Sequence, residues 1–147
     1  MSCCQQSPLK ALNLKNTPRR QAVLECLANA TTYVSPEEVW QTLHGRFSRL
    51  GLPTVYRILD ELAAGGLISK VLHPNRQLYY FFCDNASHHH HFICLNCRRV
   101  EDVAFCGIDR VEEEVRNRIG GTVLSHIVQV NGLCHDCSIG QEGVSAC

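Results

Sequence analysis

The chain has 147 residues, 45% of them apolar, and its 14 Lys/Arg and 14 Asp/Glu leave no net charge. That length accommodates one domain or two small ones; no apolar run approaches a membrane span, and Met1-Ser-Cys-Cys-Gln-Gln lacks the basic and apolar regions of a secretion signal. Ten cysteines without such a signal argue against a secreted disulfide scaffold and for a cytoplasmic protein whose thiols serve as metal ligands or buried apolar residues.

The charge is unevenly spread. Residues 1–82 carry nine Lys/Arg against five Asp/Glu, +4, and residues 83–147 carry five against nine, −4. A basic half beside an acidic one suits a polyanion binder joined to something else. Thr17-Pro18 opens the first helix with a capping hydroxyl and a proline in the first turn. Val23, Cys26, Leu27 and Ala30 follow at helical spacing, which assigns Cys26 to the core. Ser35-Pro36-Glu37-Glu38 starts a second helix with buried Val39, Trp40, Leu43 and Phe47. Pro53-Thr54 starts a third, with Val55, Ile58, Leu59 and Leu62 on one face and Gly65-Gly66 as its end. Residues 67–72 and 78–82 flank a Pro-Asn turn and read as a hairpin. Three short helices and a hairpin make a winged helix-turn-helix, whose third helix enters the major groove. Tyr56 and Arg57 lie off its apolar face, where an arginine can pair with a phosphate or a guanine and a tyrosine can cover a thymine methyl. Lys15, Arg19 and Arg20 flank the first helix within reach of phosphates.

In the second half, residues 90–95 and 99–103 read as strands joined by a knuckle. Ile108, Val111, Val115 and Ile119 form the narrow stripe of a helix ending at Gly120-Gly121, and the alternation over residues 122–130 reads as a third strand. Such a sheet leaves a face and an edge to be covered, which points to a second copy of the chain. Cys94-Leu-Asn-Cys97 and Cys134-His-Asp-Cys137 are two C-x2-C turns, and each places two thiolates close enough to share one ion. Together Cys94, Cys97, Cys134 and Cys137 make the closed four-thiolate shell of structural zinc. His88-His-His-His91 runs directly into the first turn. On a strand His88 and His90 would share one side, and His89 and His91 the other.

The Thr-Pro-Arg start, Thr54-Val-Tyr-Arg57 in the third helix, the histidine run and both C-x2-C pairs, in that order, resemble the ferric uptake regulator superfamily, which includes zinc and peroxide regulators. The resemblance spans about residues 8–138. It implies an α+β protein: a winged-helix DNA-binding domain over 1–82, a hinge bearing metal ligands over 83–91, and a small dimerisation and zinc-binding domain over 92–147. It implies a homodimeric repressor that grips double-stranded operator DNA when a sensory metal is bound. Lys15 then resembles a minor-groove lysine, and Tyr56 and Arg57 the neighbouring base- and DNA-contacting residues. By position His88, His90, Asp109 and His126 resemble a second metal site in the dimerisation domain, while His89 and His91 resemble half of the sensory site.

Iron-sensing relatives place a histidine and a glutamate where this chain has Tyr33 and Phe82. Zinc-sensing relatives place a cysteine at the wing exit, where Cys83 stands. Thiolate favours zinc by ligand softness, so the sensory ion is expected to be Zn2+, with Fe2+ or a peroxide-sensing variant as the alternative. The fourth ligand of zinc-sensing relatives falls on Ser69, a poor donor, which leaves His73 or Asp102 to complete Cys83, His89 and His91. An enzyme is not expected: there is no H-E-x-x-H, and a closed four-thiolate shell leaves no position for water. A purely structural zinc adaptor would not need the basic winged-helix half. No membrane and no small organic ligand is expected as partner, and Cys3, Cys4, Cys106 and Cys147 have no assigned role.

Overall fold

The computed structural model describes Leu9 and residues 13–85 and 87–140; Cys3, Cys4 and Cys147 lie outside them. The chain divides into two compact units, Met1–Asp84 and Asn85–Cys147. The division falls inside the expected hinge.

The first unit is built from three helices and a hairpin. Helix α1 (Pro18–Ala28) is capped by Thr17, whose hydroxyl accepts the Arg20 N–H. Helix α2 (Pro36–Leu43) starts with a capping box: Ser35 Oγ accepts the Glu38 N–H while the Glu38 carboxylate accepts the Ser35 N–H at 2.7 Å. Helix α3 (Leu52–Ala64) buries Val55, Ile58, Leu59 and Leu62, the stripe expected from spacing. These close over Val23, Leu27, Val39 and Leu43 to form the unit's core. Trp40 donates its indole N–H to the Leu50 carbonyl, fixing the turn that leads into α3. The chain leaves α3 through Gly65 and Gly66, the latter at φ +73°, a backbone a side chain would strain. Strands β1 (Ile68–Leu72) and β2 (Leu78–Phe82) pair antiparallel from Ile68↔Phe82 to Leu72↔Leu78, and Val34 adds a bridge to Tyr80. The winged helix-turn-helix is thus present as expected.

The second unit is centred on β3 (His90–Cys94), antiparallel to β4 (Val100–Val103) and parallel to β5 (Gln129–Gly132). Helix α4 (Ile108–Glu114) continues into a π-helical turn (Val115–Ile119), and the short α5 (His135–Ile139) closes the unit. One expectation is corrected. The strand read over residues 122–130 is confined to Gln129–Gly132, because residues 122–128 find no ladder partner and an alternating pattern alone does not supply one. The stripe on α4 and the π-turn is not buried within the chain: Val111 and Ile119 are exposed, as are Phe105, Leu124 and Ile127. No helix among the described residues is long and apolar enough to cross a membrane.

Candidate metal centres and nucleic-acid interface

Three groups of ligand-bearing side chains lie in the second unit. In the first, the hairpin between β3 and β4 and the turn before α5 bring Cys94, Cys97, Cys134 and Cys137 together, all ligand atoms within 4.8 Å of one another. Cys97 Sγ lies 3.6 Å from Cys134 Sγ, and the Cys134 N–H donates to Cys94 Sγ at 3.3 Å. Burial would push the Cys94 thiol up, but backbone N–H groups of Cys134, Cys97 and Asn96 bring it down to about 6. At Cys97 the backbone N–H of Arg99 pulls downward, and burial together with the neighbouring thiols outweighs it, to about 11. Four converging sulfurs with N–H donors aimed at them fit a thiophilic ion, and binding it displaces the proton that the crowding holds on Cys97. Outside the sulfurs, Asn96 Nδ2 donates to Cys137 Sγ at 3.3 Å, and Arg99 pairs with Asp136.

The histidine run divides by sides as alternation requires: the His88 and His90 rings lie 4.8 Å apart, and those of His89 and His91 4.6 Å apart. His89 and His91 turn their Nε2 atoms to 2.9 Å of each other, each 3.8 Å from Asp102 Oδ1. His89 Nδ1 lies 2.6 Å from the Ser87 carbonyl. That nitrogen must therefore carry the proton, which leaves the Nε2 lone pair facing His91 and Asp102. The other oxygen of Asp102 accepts from Asn85 Nδ2 at 2.6 Å. Burial, then the neighbouring His89 charge, lowers the His91 pKa against the opposing pull of Asp102, which favours the neutral imidazole that a metal ligand requires. Of the two candidates for the fourth ligand, Asp102 is beside this pair. His73, the other candidate, sits at the β1–β2 turn of the first unit, where Nδ1 accepts the Asn75 N–H and the ring meets Tyr33 and Tyr79. Cys83 follows β2 directly and is half-buried. Ser69 is paired across from Phe81 within β1, and Tyr33 is fully buried.

On the other side, His88, His90 and His126 are joined by Cys106. His126 Nε2 lies 3.2 Å from both His88 Nε2 and Cys106 Sγ. Asp109, expected here from the family pattern, is exposed in the first turn of α4, where a carboxylate suits the helix N-terminus, and Cys106 stands at the cluster. The sequence signal for Cys106 was thin, a single cysteine before Gly107 and outside any apolar stripe.

In the first unit, Arg57, Tyr56 and Asp60 lie exposed on α3, and Lys15 is exposed ahead of α1. Thr17, Arg19, Arg20, Thr54 and Arg57 line one cleft of about 470 Å3 between the starts of α1 and α3. Arg20, among these, is paired with Glu61, to which its Nε donates at 2.9 Å. Arg19, Thr54 and Arg57 therefore share a cationic rim beside the exposed face of α3. The Tyr56 hydroxyl donates to Glu37 Oε1 at 2.7 Å, a contact across α2 and α3 not apparent in the sequence.

A family model for the ferric uptake regulator family matches residues 11–131. The chain belongs to the ferric uptake regulator family. Over 130 residues it is 30% identical to the peroxide operon regulator of Bacillus subtilis, covering 88% of each chain. Among solved structures it is similar to the ferric uptake regulator of Helicobacter pylori, described with three functional metal-binding sites, at 28% identity and TM-score 0.62 over 88% of this chain and 86% of that one. A zinc uptake regulator complexed with zinc and DNA shares the fold at TM-score 0.72 and 24% identity, covering 90% and 89%. The family is one of metal-responsive transcriptional regulators and not of enzymes, and the chain is such a regulator.

Proposed function

We propose that the protein is a zinc-responsive, homodimeric repressor that binds operator DNA and controls metal-uptake genes, with its sensory ion held by Cys83, His89, His91 and Asp102. The observation that carries this reading is the convergence of His89 Nε2, His91 Nε2 and Asp102 Oδ1, with the His89 tautomer fixed by Ser87. Cys83 stands six residues before His89 and would supply a thiolate. One thiolate, two imidazoles and one carboxylate make a four-donor set better suited to zinc than to ferrous ion. The Cys94, Cys97, Cys134 and Cys137 group would hold a second, structural zinc.

In this reading α3 enters the major groove with Tyr56 and Arg57 toward base edges, while Lys15, Arg19 and Thr54 serve the backbone. The exposed Phe105, Val111, Ile119, Leu124 and Ile127 favour a second copy as the cover of the second unit. The 30% identity with a peroxide operon regulator supports a peroxide-sensing regulator as the alternative, beside an iron-sensing one.

The deciding experiment is Cys83→Ser, tested for operator binding against free Zn2+ and Fe2+. The mutant should lose zinc-dependent binding and retain the zinc of the four-thiol cluster. If it responds normally, or if ferrous ion activates the wild type far better than zinc at matched free concentration, the zinc reading fails and the iron-dependent one replaces it.

A further inference from the structure

We infer that Glu37 is a specificity-determining residue beside α3: bound to the Tyr56 hydroxyl, it makes the two side chains an acceptor-only pair. Such a pair takes an exocyclic amino group in the major groove, adenine N6 or cytosine N4, and rejects guanine. The inference concerns the first unit alone and rests on the reading that α3 enters the major groove. It does not depend on which metal is sensed.

Helix α2 begins with two adjacent carboxylates that do different things. Glu38 closes the capping box on Ser35. Glu37 crosses instead to the next helix, where its Oε1 accepts the Tyr56 hydroxyl at 2.7 Å from 19 residues away. Both side chains are exposed, so the contact lies outside the core, on the side where Arg57 is also exposed. Residues 1–82 carry a net +4, and a carboxylate beside their DNA-reading helix opposes general polyanion binding. A repulsive element of that kind is how a surface rejects wrong partners.

The chemistry follows from where the single phenolic proton goes. A tyrosine hydroxyl has one proton to donate, and an ionised carboxylate has none. The Glu37 hydrogen bond, then burial, raises the Tyr56 pKa above its usual value, which keeps the proton on Tyr56 and directed at Glu37. Toward a base edge the pair therefore offers lone pairs only. Guanine presents two acceptors there, N7 and O6, which such a pair leaves without a partner. Adenine N6 and cytosine N4 present N–H donors to it. The Tyr56 ring stays available for a thymine methyl. Asp60, one turn further along α3, is engaged by Lys70 and Tyr80, whereas Arg57 has only donors to offer. The helix thus sets a donor group and an acceptor pair at consecutive positions.

The test uses full-length protein loaded with whichever of Zn2+ and Fe2+ supports DNA binding, and a library of random double-stranded DNA from which bound members are selected and sequenced. At one position of each half-site, wild type should select an amino-bearing base over guanine by roughly 5- to 10-fold, the low end for a base contact. Selection of adenine or of cytosine there identifies which amino group is taken. Glu37→Gln keeps the size of the side chain but gives it N–H donors. It should erase the discrimination against guanine at that position, leave the other positions as they were and raise affinity for non-operator DNA. Glu37→Ala, which releases the Tyr56 proton, should also admit guanine there. A contact that only fastened α2 to α3 would, when broken, weaken operator and non-operator binding alike, and that result overturns the proposal. Arg57→Ala, run in parallel, separates the two possible failures. If it weakens operator binding while Glu37→Gln changes no base preference, the acceptor pair is wrong and α3 keeps its place in the groove. If it leaves DNA binding untouched, α3 is not in the groove, and the proposal falls together with that placement.

Discussion

Cys94 and Cys97 are three residues apart, yet their surroundings push their acidities in opposite directions, and the cause is the direction of nearby N–H groups and thiols. A metal-free cluster holds thiols whose protons cannot all leave at neutral pH without stacking negative charge on adjacent sulfurs. A divalent ion removes that conflict. Zinc in such small folds contributes about 10–16 kcal/mol, comparable to or above a typical domain's whole stability of about 5–15 kcal/mol. Cys97→Ser should therefore release this zinc and unfold the second unit, read as lost amide protection over Asn85–Cys147, while the first unit keeps its own core. Normal zinc content with normal protection in the mutant would remove the structural role. A second residue-scale prediction concerns Asp60 on α3, which pairs with Lys70 of β1 at 2.8 Å and accepts the Tyr80 hydroxyl of β2 at 3.1 Å. The Lys70 contact, against a smaller burial effect and aided by Tyr80, holds the Asp60 carboxyl below the usual carboxylate range. The folded state thus binds its proton less readily than the unfolded state. Its contribution is fully present above about pH 4 and is lost as pH falls through the lowered folded value. Both partners are about half exposed, so the effect stays under about 1 kcal/mol. Denaturation followed by Trp40, the single tryptophan, should show wild type losing this increment as pH falls below about 4, and Asp60→Asn lacking it throughout.

At the scale of elements, β3 and β5 meet where any side chain larger than glycine's would press on the Phe92 ring. Gly132 faces Cys94 across the parallel pair, and a Cβ there would stand 2.8 Å from Phe92 Cε2. The next turn carries Cys134, whose N–H reaches Cys94 Sγ, so displacing β5 also displaces a zinc ligand. Gly132→Ala should cost about 1–3 kcal/mol, the usual price of overpacking, and speed zinc loss to a chelator. Adding Phe92→Leu should recover part of both, and two additive losses would instead exclude a clash with this ring. The elements legible in the sequence were those whose signal is local. The capping box at Ser35 and Glu38, the i, i+3, i+4, i+7 stripe of α3 and the alternation that divides the histidines each depend on neighbours in the chain. What the sequence did not carry depends on distant partners. The alternation over residues 122–128 matches a strand, but only Gln129–Gly132 has β3 beside it. That Cys106 stands beside His126 follows from where the turn before α4 lies, which spacing does not encode, and the same holds for the packing of His73 against the Tyr33 and Tyr79 rings.

For the molecule as a whole, metal and DNA must act on each other reciprocally if the proposed function holds. If zinc raises operator affinity by some factor, bound operator raises zinc affinity at the sensory site by that same factor, whatever lies between the sites. Factors of about 5- to 150-fold correspond to about 1–3 kcal/mol. The two classes of residue then separate cleanly. Arg57 is exposed on α3, in the half that carries the +4 charge. If it reads a base, Arg57→Ala should weaken operator binding by about 1–3 kcal/mol with zinc and without it, leaving the coupling factor unchanged. If it only neutralises a phosphate, the slope of log K against log salt should fall by about 0.9 and sequence preference should persist. Cys83→Ser should do the reverse, keeping the metal-free affinity and its salt slope while bringing the coupling factor to one. Four affinities suffice: operator with and without zinc, and zinc with and without operator, each for wild type and both variants. Unequal ratios along the two arms of the wild-type cycle would mean that a further zinc is being counted, and the His88, His90, Cys106 and His126 group is where it would be. A coupling factor that falls with Arg57→Ala and survives Cys83→Ser would place the metal response away from Cys83.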